Sequence, residues 1–309
     1  MTDRISAETK ASSSMRHVCT ISGKDSLRTA MLLREFESHL PLEYVWHDTG
    51  WELPEVYEWI NKVEVSLGIE IIRLGDDLTE IVAEEGLLPS HQRRFCTRLA
   101  KLKPMRDFYR NQDVTLYLGL RADEDDRIQG LVPTKREQYR FPLKERGLGF
   151  EDVWRDVYST NLGPPLFTWQ WMVDRVHKLG GRRPKGMSDW HWLPLFSGRS
   201  RPNCDRCFYQ RTYEWIWLYE THPDRFWAAV ATEESTQHAS PFRFRSKTKR
   251  GRVVPSPLVD LIARADEIKE KHARSIVAKL HRLNENTLFG GLYQDNPFGT
   301  ASCGLFCGK

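Results

Sequence analysis

Along the first half of the chain, short apolar runs alternate with longer stretches in which apolar residues recur every three or four positions. The runs "RHVCTI" (16–21), "LEYVWHD" (42–48), "IEIIRLG" (69–75) and "VTLYLGLRA" (114–122) predict strands. Between them, "SLRTAMLLREFESHL" and "LPEVYEWINKVEVSLG" predict amphipathic helices, the second opened by Pro54 in its first turn. The segment "FCTRLAKLKPMRDFYRNQ" predicts helix on either side of Pro104. Strands alternating with helices imply an α/β fold, a Rossmann-like parallel sheet with helices on both faces. Such sheets bind ligands outside the carboxyl ends of their strands. The turns "SGKDS", "HDTGWELPE" and "GLRADEDDR" all follow predicted strand ends.

After residue 150 the pattern loosens into Trp-, Gly- and Pro-rich sequence with helical stretches. Here "RCFYQRTYEWIWLYETHP" predicts a helix entered directly from a C-x-x-C, and "SPLVDLIARADEIKEKHARSIVAKLHRL" predicts another. The tail "GGLYQDNPFGTASCGLFCGK" reads as loop, and no internal repeat is present. The expected organisation is a flexible lead-in over 1–14, a nucleotide-binding domain over 15–150, and a mainly helical, cysteine-bearing region over 151–309.

Composition narrows the class. With 309 residues, 40% hydrophobic and 28% charged, the chain reads as a soluble globular protein. The net charge of +4 permits an anionic partner without requiring one. No apolar run approaches the roughly 20 residues needed to cross a bilayer. The start "MTDRISAETKASSS" lacks the apolar segment of a signal peptide, so no membrane association and a cytoplasmic location are expected. Residues 243–252, "RFRSKTKRGR", carry six basic side chains and no acid. They read either as a track for a nucleic-acid backbone, with Phe242 and Phe244 available to stack, or as a solvated loop.

The turn "SGKDS" carries the first candidate chemistry. A strand running into a Gly-bearing turn and then a helix aims backbone N–H groups and the positive helix end at one spot, where phosphate binds. Gly23 permits close approach, Lys24 adds a full charge, and Ser22 and Ser26 add hydroxyl donors. Asp25 after Lys24 departs from the Walker A loop. The competing reading is a serine-capped helix with a surface Lys and Asp.

Six cysteines at this length do not make a disulfide scaffold. Cys19 and Cys96 stand alone, Cys204 and Cys207 form a C-x-x-C, and Cys303 and Cys307 form a C-x-x-x-C. The two pairs offer four thiolate ligands and Cys96 a fifth, which suits either a [4Fe–4S] cluster or Zn²⁺. The competing reading packs them as small hydrophobes.

The stretch "ISGKDS" resembles the S-G-G-K-D-S signature of PP-loop ATP pyrophosphatases, the adenine nucleotide α-hydrolase superfamily, with Ile21 and Ser22 replacing its first two residues. "HDTGWELPEVYEWI", "RRFCTRLAKLKPM" and "LGLRADEDDR" resemble segments of the phosphoadenosine phosphosulfate (PAPS) reductase branch, in the same order over about residues 17–150. The resemblance implies that Ser22, Gly23, Lys24, Asp25 and Ser26 bind the pyrophosphate of ATP, Asp25 helping to hold Mg²⁺. It assigns Asp48 to a ribose hydroxyl or a metal-bound water. It also assigns Arg121 and Arg127 to phosphate oxygens with Glu124 steadying them, and Lys101 and Lys103 to anion binding.

Departures from the reductase pattern shape the expected activity. Phe95 stands where cluster-bearing reductases have a second cysteine, and "SCGLF" echoes the catalytic E-C-G-[LI]-H with Ser302 and Phe306 changed. The chain keeps Lys24 and Asp25, which the reductases have mostly lost. The resemblance therefore implies an ATP pyrophosphatase in sulfur incorporation, similar to the component of DNA phosphorothioation systems that adenylates a phosphate. Such an enzyme uses ATP, Mg²⁺ and an iron–sulfur cluster (zinc being the alternative), a cysteine desulfurase-like sulfur donor, and DNA or a DNA-modification complex as partner. The alternatives are a sulfonucleotide reductase with Cys303 as nucleophile and thioredoxin as donor, and a non-catalytic nucleotide- or DNA-binding protein. The oligomeric state stays open.

Overall fold

The computed structural model describes residues 15–129, 131–236, 243–249 and 252–285. The expectations for 1–14, for the 286–309 tail with Cys303 and Cys307, and for Phe242 lie outside them.

Five parallel strands form the central sheet: β1 (Arg16–Thr20), β2 (Leu42–His47), β3 (Ile71–Leu74), β4 (Val114–Tyr117) and β5 (Glu137–Arg140), ordered β3-β2-β1-β4-β5. The four predicted strands form inside their apolar runs. β5, "EQYR", was not predicted because an edge strand with one apolar residue carries no hydrophobic signal. Its pairing of Leu116 with Tyr139 and Val114 with Glu137 defines it instead.

Alternation along the strands separates two apolar faces. On one side, Cys19, Tyr44, Trp46 and Tyr117 pack with α1 (Lys24–Phe36) and α2 (Pro54–Leu67) through Leu27, Ala30, Leu33, Trp59, Ile60 and Val63. On the other, Val18, Val45, Val114 and Leu116 pack with Leu102, Met105 and Phe108. Burial on both faces is what parallel strands linked by crossover helices require. α2 has Pro54 in its first turn and ends at Gly68, whose left-handed φ of 57° closes the helix. After β3 comes α3 (Leu78–Glu85), capped by the Asp77 carboxylate, which accepts from the Thr79 N–H.

The next helical segment does not break at Pro104. It runs as α4 (Phe95–Thr97), a π-helical turn over Arg98–Leu102, and α5 (Lys103–Phe108). Proline has no N–H to give, and the wider turn, in which Lys103 N–H donates to Arg98 C=O, absorbs the mismatch.

The second half is mainly helical, with helices over Phe150–Ser159, Gln170–Lys178, Thr212–Thr221, Pro223–Ser235 and Ala265–Glu285. Two sequence expectations change here. The helix after the C-x-x-C starts only at Thr212, because Cys207 and Gln210 close successive turns on Cys204 C=O and Cys207 C=O. The segment from Leu258 begins as a 3-10 helix, Leu258–Arg264, before turning α-helical.

The basic run becomes an antiparallel ribbon, β6 (Ser246–Lys249) with β7 (Arg252–Pro255). Phe244 is not available to stack on a base. It is buried, with its ring 5.6 Å from that of Trp215 and 6.5 Å from that of Trp51. Among the described residues no helix is long and apolar enough to cross a membrane.

Candidate functional site

Strand order reverses between β1 and β4, which opens a crevice at their carboxyl ends. β1 stops at Thr20 and α1 starts at Lys24, so "SGKDS" sits at the mouth of that crevice. The Ser26 hydroxyl organises the turn. It accepts from the N–H groups of Ser22 (2.7 Å) and Gly23 (3.0 Å) and donates to Gly23 C=O (3.0 Å). Two amides expected to face an anion are thus held by Ser26. The Lys24, Asp25 and Ser26 amides remain as the first-turn donors that a helix cannot satisfy internally.

Gly119, just past β4, allows this arrangement. A Cβ there would lie 2.6 Å from Ser26 N and 2.8 Å from the Asp25 carbonyl carbon. Gly119→Ala is therefore expected to push the first turn of α1 out of the crevice, weakening the binding of a phosphate ligand there at least tenfold in a tripolyphosphate titration while the far-UV spectrum stays that of the folded protein.

Three cations and three carboxylates meet beside the turn. Asp25 Oδ1 lies 2.7 Å from Lys24 Nζ and 3.0 Å from an Arg121 guanidinium nitrogen. Arg121 also reaches Asp123 (2.8 Å) and Glu124 (3.4 Å), and Glu124 holds Arg127 at 2.5 Å. Asp25, Arg121 and Glu124 are all buried. The Phe150 ring lies under both Lys24 Nζ (4.8 Å) and the Arg121 guanidinium (5.5 Å), a cation–π platform with no trace in the motif. Desolvation pushes the Asp25 carboxyl up, but Lys24 and Arg121 more than reverse it and hold it below the usual carboxylate range. Burial pushes the Lys24 ammonium below its ordinary value, against the pull of Asp25.

The other anion-binding candidates are spread out. Asp48 follows β2, where its carboxylate accepts from Gly50 N–H (2.9 Å) and the Tyr57 hydroxyl (2.8 Å) and so shapes the turn. Lys103 lies on the surface, 3.5 Å from Asp107. Lys101 is buried, in a second site.

That second site is a cavity of about 30 Å³ lined by Cys96, Cys204 and Cys207 together with Trp51, Arg94, Lys101 and Arg206. The π turn explains why Cys96 and Lys101 share a wall: at i→i+5 periodicity, residues five apart fall on one side. The C-x-x-C turn is docked onto the loop after β2. Asp205 N–H donates to Trp51 C=O (2.6 Å), and the Arg206 guanidinium lies 4.7 Å from the Trp51 ring. The Cys204 thiol is 3.3 Å from Thr49 Oγ1 and 3.5 Å from Glu52 Oε1. Arg199, buried, donates to Asn203 C=O (2.7 Å) and Cys204 C=O (2.9 Å) and clamps the turn from behind. Burial pushes the Asp205 carboxyl up to about 7, with Arg206, Arg199 and Arg225 pulling it back.

Sequence reasoning missed Thr49, Glu52, Arg94, Arg199 and Arg206 as members of this site. Thr49 and Glu52 lie inside the quoted "HDTGWELPE", so a signal was there, but nothing in it pointed at a cysteine about 150 residues away. The thiols offer three soft donors of the kind that suit zinc or iron–sulfur. As placed, no three His, Cys, Asp or Glu side chains converge at metal-binding distance among the described residues. Cys19 is separate, fully buried in β1, with its thiol pushed far up by burial.

A family model described as the phosphoadenosine phosphosulfate reductase domain matches residues 16–172. A protein of Methanocaldococcus jannaschii, described as uncharacterised, is 36% identical over 107 residues, which is 33% of this chain and 22% of that relative. The chain therefore spans about a fifth of the length of that curated relative. A phosphate complex of phosphoadenylyl-sulfate reductase from Candida auris is 17% identical, covering 57% of this chain and 82% of that one at a TM-score of 0.38. The U34-tRNA thiolase NcsA from Methanococcus maripaludis, solved with its [4Fe–4S] cluster, is 18% identical, covering 72% and 73% at a TM-score of 0.35.

Proposed function

Because the chain belongs to the phosphoadenosine phosphosulfate reductase domain family, we propose that it is the ATP-cleaving type of that family, splitting ATP between the α and β phosphates to adenylate an acceptor for sulfur incorporation. The observation that carries this reading is the Lys24–Asp25–Arg121 cluster at the amino end of α1, in the crevice between β1 and β4.

The chemistry follows from the residues. The first-turn amides and Lys24 hold the β and γ phosphates. Arg121 and Arg127 face the negative charge that builds on the α-phosphate and the departing pyrophosphate. An acceptor oxygen attacks the α-phosphorus, its bond to the bridging oxygen breaks, and pyrophosphate leaves with that electron pair. A sulfur nucleophile then displaces AMP from the acceptor. The cluster is charge-balanced as it stands, so a triphosphate adds net negative charge. A magnesium ion bound with ATP would supply the balance, with Asp25, paired with Lys24 and Arg121, as the carboxylate of the turn that would face it.

Cys96, Cys204 and Cys207 line one cavity and are the described cysteines that would hold an iron–sulfur cluster, whose chemistry would be to carry sulfur or electrons. Arg94, Lys101 and Arg206 line the same cavity and would offset the charge of the thiolates that hold such a group. The acceptor class we assign is a nucleic-acid phosphate, on the charge of the basic run 243–252, with a cysteine desulfurase-like protein as sulfur donor.

The test is product analysis. Protein purified anaerobically, given ATP, Mg²⁺, DNA and sulfide as the sulfur nucleophile, is expected to yield AMP and pyrophosphate in equal amounts. Formation of ADP and phosphate, or sulfite release from PAPS with thioredoxin, would overturn the reading. Iron and acid-labile sulfide are expected in the same sample and should fall to background in Cys204→Ala, with zinc not taking their place. A colourless, zinc-containing wild type would overturn the cluster assignment.

A further inference from the structure

The amino ends of β2 and β3 frame a cavity of about 480 Å³ that opens to solvent, at the edge of the sheet opposite the phosphate turn. Its volume lies in the range of small-molecule sites. Neither the turn motif nor the cysteine pattern touches it.

Tyr44 sets this cavity apart from a surface hollow. It lines the cavity and is 6% exposed. Its hydroxyl has no hydrogen-bond partner among the described residues, yet it is not sealed from solvent. A phenol held in the core without a partner disfavours the fold, and phenylalanine would avoid that cost. Burial, with the Cys19 thiol adding to it, pushes the hydroxyl up to about 12, so it stays protonated and donates. The Arg34 guanidinium pulls the other way, which places its charge near the ring.

The rest of the lining divides by charge. Arg34, in the last turn of α1, and Tyr44 are donors, and a guanidinium beside a hydroxyl matches the two oxygens of a carboxylate. Glu70 lies on the β3 side, beside Gly68, where α2 ends. The carbonyl end of a helix carries partial negative charge, so this side favours a cation. Glu43, the other carboxylate of the lining, is spent on Arg16, which grips both of its oxygens. Arg34 and Glu70 therefore balance, which suits a ligand of zero net charge that carries both signs. A phosphate would bring uncompensated negative charge. Leu40, Leu42 and Ile69, partly buried against the core, complete an apolar wall.

We propose that this cavity binds an aliphatic α-amino acid. Its carboxylate meets Arg34 and the Tyr44 hydroxyl, its ammonium meets Glu70 and the carbonyl end of α2, and its side chain meets Leu40, Leu42 and Ile69. The site is separate from the phosphate turn and stands whether or not that turn holds ATP.

Calorimetric titration of the full chain tests this with leucine, 4-methylpentanoate, which lacks the ammonium, and 3-methylbutylamine, which lacks the carboxylate. Wild type is expected to bind leucine about fivefold more tightly than either analogue. Arg34→Gln and Tyr44→Phe should each weaken leucine about tenfold and leave the amine unchanged. Tyr44→Phe should also melt at or above the wild-type temperature, because it removes the orphaned hydroxyl. Glu70→Gln should weaken leucine about fivefold and leave 4-methylpentanoate unchanged. Tripolyphosphate affinity should be the same in all four proteins, which keeps the phosphate turn out of the comparison. No leucine binding by the wild type at about 10 mM, well above the range of a specific site, would overturn the proposal. So would equal affinity for leucine and 4-methylpentanoate, unchanged leucine affinity in Tyr44→Phe, or a lowered melting temperature in that variant.

Discussion

Lys24→Ala is expected to cut pyrophosphate release by about 100- to 1,000-fold, the range found when one preorganised charge-stabilising donor is removed. The fold should lose far less, although Lys24 is one of the two charges that hold Asp25 ionised. Asp25 keeps its contact with Arg121 at 3.0 Å, and the Lys24 side chain, at 16% exposure, sits at the mouth of the crevice rather than inside the apolar core. Steady-state assay and thermal melting on one preparation separate these effects. Lost activity with an unchanged melt points to phosphate handling. An activity loss matched by a comparable loss of stability would mean that Lys24 only neutralises Asp25, and unaltered activity would remove Lys24 from the chemistry. The same variant should lose most of the melting-temperature rise that ATP gives the wild type.

Arg121→Ala reverses that balance. Arg121 is 1% exposed and touches three carboxylates, so its removal leaves Asp25 and Glu124 buried with one cationic partner each, Lys24 and Arg127. Breaking a buried ion pair costs about 3–5 kcal/mol, and the remaining partners put this variant near the lower end. Chemical denaturation at neutral pH measures it.

The pH dependence carries a sign. The Asp25 carboxyl is held below its ordinary value of 3.8, so its contribution to stability is present above that value and is lost as pH falls through the lowered one. Arg121 is one of the two groups that lower it, so the variant's acid-range loss of stability should be shallower than that of the wild type. An identical acid limb in both proteins would mean that the pair does not stabilise the fold. Arg121→Lys should recover part of the stability but little activity, because a single ammonium cannot bridge three carboxylates as a guanidinium does.

The parts of this site legible in the sequence are the ones that local geometry encodes. "SGKDS" reads as a phosphate turn because strand, small residues and helix follow one another within about ten positions, and it does run from just past β1 into the first turn of α1. "GLRADEDDR" was legible as an acidic and basic cluster after a strand. What its arginine pairs with was not, since Asp25 lies 96 residues away. Phe150 under both cations and Gly119 against Ser26 carry no signal of their own. Each matters only through a neighbour that the chain path delivers.

The sequence by itself determined the layered parallel sheet, the strand ends at which chemistry gathers, and the pairing of thiols two by two. A hydrophobic period reports which way each residue faces within its own element, and that information is local. Only the tertiary structure decided that Cys96 shares a cavity with Cys204 and Cys207, that Phe244 is spent on Trp51 and Trp215, and that "EQYR" closes the sheet. Those outcomes join residues far apart along the chain. They depend on how all buried faces pack at once, a sum over the whole molecule that no single stretch of residues contains.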